Sequence, residues 1–136
     1  MTPSRLLALA ALGLAGCAAA PPPAAPPAAA TVTEGATWML SRLGDEAVTA
    51  PVSFTVTGER VAGFGPCNRY FGAYRRDGAA LSVGPIAATR RACADLALEE
   101  RYFAALTDVT GAAVEGDTLT LRDDGGAALM VLTRAR

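Results

Sequence analysis

The chain contains no histidine and no lysine; all 12 of its basic residues are arginine. Without imidazole, His-based triads, dyads and His-ligated metal sites are excluded for this chain. The absence of lysine also removes the other common base for a thiol nucleophile. No function has an evident use for excluding lysine, and the abundance of alanine and glycine points to genomic base composition. An excess of positive charge is missing too. The 12 basic residues face 13 acidic ones, for a net charge of −1, so no basic face of the kind a nucleic acid demands is expected. Long apolar runs are also scarce. The longest, Leu6 to Gly16, falls well short of the roughly 20 residues of a transmembrane helix.

That short run is nevertheless informative. Arg5 precedes it, and it closes on Leu14-Ala15-Gly16-Cys17, the pattern of a bacterial lipobox. Small residues at 15 and 16 let the backbone enter a peptidase site extended, and the following thiol accepts a diacylglycerol. Residues 1–16 are therefore expected to be a removed lipoprotein signal peptide, with Cys17 the acylated first residue of the mature chain. Ala18-Ala19-Ala20 also fits an ordinary A-x-A cleavage site, the competing reading. Ala18 follows the cysteine where Asp would usually retain a lipoprotein at the inner membrane, so the expected location is the outer membrane, facing the periplasm. Loss of Arg5 leaves 11 basic and 13 acidic residues.

The run Ala18 to Ala30, with Pro21-Pro22-Pro23 and Pro26-Pro27, has no charge and no large apolar group. It is expected to be an extended tether, residues 17–35, with a reach on the order of 40 Å. One domain then remains, residues 36–136. A domain of about 100 residues has a stability margin of only about 5–15 kcal/mol. Cys67 and Cys93 are an even pair once Cys17 is acylated, and in an oxidising compartment a disulfide between them is expected. Two buried free thiols are the alternative, because spacing alone does not show that the Cβ atoms meet.

Hydrophobic period gives the elements. Trp38-Met39-Leu40 reads as a strand; Val52 to Val56 and Val61 to Phe64 form a hairpin; Tyr70 to Tyr74 and Ala80 to Val83 form another around Asp77-Gly78. Ile86 to Thr89 adds a short strand. From Asp95 to Val109 the period becomes helical, with Leu96, Tyr102, Phe103, Leu106 and Val109 on one face. Strands follow at Ala112 to Val114, Thr118 to Leu121 and Leu129 to Leu132. Short turns require antiparallel neighbours, and the glycines between Gly63 and Val83 require a bent or bulged sheet. The fold class is mainly β with one helix: a small antiparallel barrel, closed or cracked.

The polar residues read as structural. Glu99-Glu100 diverge by about 100° on a helix and suit a solvated helix end near the positive macrodipole. Asp123-Asp124-Gly125-Gly126 lacks the alternate oxygen ligands of a calcium loop and reads as a hairpin turn. Arg75-Arg76 and Arg90-Arg91 read as solvated charges, unless the strands unite them as an anion patch. Asn68 is expected to cap neighbouring backbone in an Asx-turn. Trp38, Phe64, Tyr70, Phe71 and Tyr74 are expected in the core.

The stretch Gly63-Phe64-Gly65-Pro66-Cys67-Asn68-Arg69-Tyr70-Phe71-Gly72-Ala73-Tyr74 resembles the signature of the META domain, the HslJ-like family of bacterial envelope proteins. Leu81 to Ile86 with Thr89 to Cys93, the helix residues Glu99, Tyr102, Ala105 and Leu106, the hairpin Gly116 to Leu121 and the opening Trp38-x-Leu40 also match, in order. Gly65, Cys67, Asn68, Tyr70, Gly72 and Tyr74 are the motif positions, read as structural. Pro66 stands where the family usually has Gly, and Ala94 where Pro is common. The resemblance implies a lipocalin-like cracked β-barrel interrupted by one α-helix. It brings no catalytic residue, metal or cofactor, and ties the family only loosely to stress response, drug tolerance, motility and secretion. The expected function is a membrane-anchored, non-catalytic module that binds or protects an unidentified envelope component in stress or assembly. The alternative is a carrier of a small apolar, lipid-like ligand inside the barrel.

Overall fold

The computed structural model describes Ala20 and residues 31–136. The signal segment, Cys17 and, Ala20 aside, the Ala/Pro run lie outside the described residues. Packing begins before residue 36: Val32 is buried in the core, and the Glu34 carboxylate accepts the Gly58 N–H at 3.0 Å.

Alternation of apolar and polar residues builds the strands. They are β1 Thr37–Leu43, β2 Glu46–Ala47, β3 Ser53–Thr57, β4 Arg60–Phe64, β5 Arg69–Asp77, β6 Ala80–Val83 and β7 Ala87–Ala88. After the helix α1, Leu96–Thr107, come β8 Gly111–Glu115, β9 Thr118–Arg122 and β10 Ala128–Arg134. All pairings are antiparallel, in the order β6-β5-β4-β3-β1-β10-β9-β8, with β2 added to β1 and β7 to β5. The two end strands meet where the Leu81 N–H donates to the Thr110 carbonyl at 3.0 Å, so the sheet nearly closes into the expected barrel.

Register shifts fall in β1 between Leu40 and Arg42 and in β10 between Ala128 and Met130, where an extra residue curls a strand. In the glycine-dense segment the device is different. One side of β5 pairs with β7 at Tyr70 and Phe71, then with β6 from Tyr74 onward. At the changeover, a Cβ on Gly72 would stand 2.9 Å from Ile86 Cδ1 and 3.2 Å from the Pro85 carbonyl oxygen, so glycine lets the returning chain cross there without displacing either.

The interior is filled by the protein's own side chains. Trp38, Phe54, Leu119, Leu121, Met130 and Leu132 from the strands meet Tyr102 and Leu106 from α1, each no more than 1% exposed. A fully buried side chain of this kind contributes roughly 1.5–3 kcal/mol, so a charge at Leu106 should unfold the domain.

The helix is shorter than its period suggests. It ends at Thr107, where the Asp108 N–H bonds back to the Ala105 carbonyl at 3.2 Å and the Val109 N–H to the Leu106 carbonyl at 3.4 Å, so Val109 is buried from the following loop. The buried stripe is Glu99, Tyr102 and Leu106. Leu96, expected on that face, is 41% exposed in the first turn.

Of the described glycines, Gly63 leaves the least room for a Cβ. A Cβ there would run into the Ser53 carbonyl, which also accepts the Tyr70 hydroxyl at 2.8 Å. Gly63→Ala is expected to lower the unfolding free energy by about 2 kcal/mol or more through overpacking. Urea titration would show this, with Gly111→Ala as control, since a Cβ at Gly111 meets nothing within 4 Å.

Candidate functional site

Two clusters merit functional scrutiny: a buried polar knot at the start of α1 and an outer groove across β3, β4 and β5. The knot joins three chain segments. The Glu99 side chain, buried with 3% exposure, accepts the Cys67 and Asn68 backbone N–H groups through Oε2 at 2.8 and 2.7 Å, and the Asn68 amide through Oε1 at 2.6 Å. Helix placement explains the choice of residue. A carboxylate in the first turn faces the positive end of α1, and three N–H donors compensate its burial.

Asn68 uses its whole amide. Nδ2 also donates to the Arg91 carbonyl at 3.1 Å, while Oδ1 accepts the Arg91 N–H at 2.6 Å and the Thr89 hydroxyl at 2.9 Å. The Cys67–Cys93 disulfide, Cα–Cα 5.8 Å, locks the same loop to the segment before the helix.

Two expectations are corrected here. Glu99 is a buried acceptor and not a solvated helix end, because the 65–68 loop brings three unpaired donors to it. Asn68 makes no Asx-turn; its side-chain partners lie 21 to 31 residues away. Gly65 fits the same knot, since a Cβ there would stand 2.8 Å from Glu99 Oε2.

Beyond the knot, the Tyr70 hydroxyl donates to the Ser53 carbonyl, so the Tyr102 hydroxyl, 2.7 Å away, must donate to Tyr70. Burial pushes both hydroxyls well above the ordinary tyrosine pKa. Tyr74 is buried in the core, and burial raises its pKa as well, against an opposing pull from Arg76. Every motif position thus has a structural duty. None presents a nucleophile beside a base, and among the described residues no three Cys, Asp or Glu side chains stand close enough to hold a metal ion.

The opposite faces of the same strands are different. Residues between the inward ones point outward, and there Phe64 is 51% and Phe71 47% exposed. Only Trp38, Tyr70 and Tyr74 of the five aromatics expected in the core are buried. The missed signal was parity: Val61 and Tyr70 inward puts Phe64 and Phe71 outward.

Thr37, Thr55, Ala62, Phe71 and Ala87 align in one row across five strands. The small side chains of this row, with Gly63, form the floor of a groove of about 810 Å³ that Phe71 and Phe64 also line. The Arg60 guanidinium lies 4.2 Å from the Phe71 ring centre, and that of Arg69 4.8 Å from the Phe64 ring. The other arginine pairs stay apart: Arg75 and Arg76 line one cleft, Arg90 and Arg91 another beside α1.

Comparison with known proteins places this geometry. The profile of the META domain family matches residues 30–136. An NMR structure of a protein from Burkholderia xenovorans is similar at 30% identity and a TM-score of 0.60, over 75% of this chain and 83% of that one. A second protein solved by NMR has the same TM-score at 19% identity, over 76% of this chain and 95% of its own, and is alike in fold. No curated protein matches the chain.

Removing the knot's acceptor should be costly. Glu99→Ala leaves three buried donors unpaired and is expected to cost about 3 kcal/mol or more, while the exposed Glu100→Ala stays within about 0.5 kcal/mol. Reduction of the disulfide should cost about 3–4 kcal/mol in the native sequence, and less in Glu99→Ala, because both restrain one loop. Urea titrations of the four oxidised and reduced forms check both statements.

Proposed function

The chain belongs to the META domain family, and from that premise we propose that it is a membrane-tethered, non-catalytic binding module of the bacterial envelope, working through its outer groove. The observation that carries this reading is the contrast between the two faces of β4 and β5. Inward residues are consumed by the core and the polar knot, whereas Phe64, Phe71, Arg60 and Arg69 remain on a face the fold does not need. Exposed aromatic and arginine side chains beside a concave floor mark binding surfaces.

The polar clusters support the non-catalytic part, because their hydrogen bonds are already satisfied by the fold and none aligns a nucleophile with a base. The lipobox at Leu14 to Cys17 supports the tether, with the outer membrane facing the periplasm as its destination. Service in envelope stress or assembly is the part of this reading that rests on the family resemblance alone.

The carrier reading changes its location. A barrel core occupied by Trp38, Phe54, Tyr102 and Leu106 leaves a small ligand no room among them, whereas the groove, at about 810 Å³, lies within the roughly 300–1,000 Å³ of small-molecule sites and is distinguished from the other clefts by its exposed Phe64 and Phe71.

Chemical-shift mapping on the full chain tests the groove. Titration with an extract of envelope lipids and small metabolites should shift Ala62, Phe64, Arg69, Phe71 and Ala87 to Thr89, and Ala62→Trp should abolish those shifts. Shifts confined to interior residues such as Trp38 and Leu119 would return the ligand to the barrel core. The tether has its own test: Cys17→Ser should move the protein from the membrane fraction to the soluble one, and an unmodified mature chain starting after Ala20 would exclude acylation.

A further inference from the structure

Resting on the groove as the binding site, we infer that its occupant is a single-chain anionic amphiphile: an acyl or aromatic body lying on the alanine and phenylalanine surface with a carboxylate or sulfate paired to Arg60 or Arg69, which stand at opposite ends of the β4–β5 pairing. Four observations converge on this class.

The first is charge. The groove carries two arginines and no acidic side chain. It also sits in the basic part of a polarised sequence: residues 60–91 hold six arginines and one acid, whereas residues 92–136 hold four arginines and eight acids. A net-acidic protein therefore presents a locally positive surface here.

The second is the state of the guanidiniums. Among the described residues, Arg60 and Arg69 meet only the faces of Phe71 and Phe64, while Arg75, Arg101 and Arg134 have carboxylate partners. Stacking holds each guanidinium plane in place and leaves its N–H edge free for an oxyanion.

The third is the sheet. β3, β4 and β5 are flanked by paired strands on both sides, and the floor ends on the two-residue β7, which pairs only with β5 and is too short an edge for an extended peptide. Recognition must come from side chains alone, which here means apolar area and two cations. The fourth is size: about 810 Å³ falls within the range of small-ligand sites.

The experiment uses the full chain carrying Cys17→Ser, so that no lipid of its own competes. A fluorescent dansyl-undecanoate probe is displaced by dodecanoate, dodecyl sulfate, dodecanol and dodecyltrimethylammonium below their micellar concentrations. Dodecanoate and dodecyl sulfate are expected to bind about tenfold or more tightly than the neutral and cationic chains. Arg60→Gln with Arg69→Gln should erase that preference, and Arg60→Lys with Arg69→Lys should keep most of it. Both positions hold exposed arginines, and an unchanged urea midpoint confirms folding.

Equal affinity for dodecanol, or an unchanged preference in the double glutamine variant, overturns the anionic class while leaving the groove standing. Unchanged probe binding in Ala62→Trp removes the groove itself. Stronger displacement by an acidic, phenylalanine-containing peptide would make the occupant a polypeptide. Displacement by phosphatidylglycerol vesicles but not by dodecanoate would make it a membrane surface. Either result ends the proposal.

Discussion

The carboxylate of Glu99 is the point on which the rest of the architecture converges. It sits in the first turn of the only helix among the described residues and grips the backbone of Cys67 and Asn68 from the inside. Through the Asn68 amide the grip extends to Thr89 and Arg91. A strand entrance, the segment after β7 and the helix are thereby fixed to one another. The alternatives are unfavourable: without the carboxylate, three N–H groups would be buried unpaired, each at a cost of about 1–3 kcal/mol. The disulfide secures the same junction covalently, so a non-covalent and a covalent restraint hold one loop. That redundancy suits a domain of about 100 residues, whose whole stability amounts to about 5–15 kcal/mol.

Because the knot fixes where β5 begins, it also fixes the strand's parity. Asn68, Tyr70, Gly72 and Tyr74 face inward and are buried, and Arg69, Phe71 and Ala73 must then face outward. The antiparallel register carries this choice to β4, where Ala62 lies opposite Phe71 and Phe64 opposite Arg69. The groove is thus a by-product of the knot's geometry: moving β5 by one residue would bury Phe71 and expose Tyr70. A sheet with one face committed to packing has a free choice of side chains on the other, and here that choice includes two exposed phenylalanines and two arginines with no acidic neighbour in the groove.

Much of this was legible in the sequence. Alternation at Val52 to Val56 and the turn at Asp77-Gly78 located strands, and the change of period after Asp95 located the helix. The resemblance of the Gly-Pro-Cys-Asn stretch and its following aromatics gave the barrel. Other features were hidden for physical reasons. Adjacent Glu99 and Glu100 look alike beside a helix start, where the macrodipole welcomes any acid; only the fold reveals that one of them faces three backbone donors. Phe64 and Phe71 read as core because hydrophobicity alone does not record direction. Parity counted from Tyr70 would have turned both outward. The bends at β1 and β10 had no glycine to announce them, since a bulge needs one extra residue and no special side chain.

The filled interior bears on where the proposed binding takes place. Eight strands enclose just enough space for side chains, and α1 contributes Tyr102 and Leu106 to that space. A larger ligand inside would have to displace residues that contribute roughly 1.5–3 kcal/mol each, a substantial share of the domain's stability. Binding at the outer face displaces only water. It also leaves the knot and the disulfide untouched, so a ligand can come and go without loosening the fold. For the proposed binding role, a small domain held near its stability threshold is therefore better served by a groove on the surface of its barrel than by a cavity within it, and the exposed Phe64 and Phe71 line such a groove.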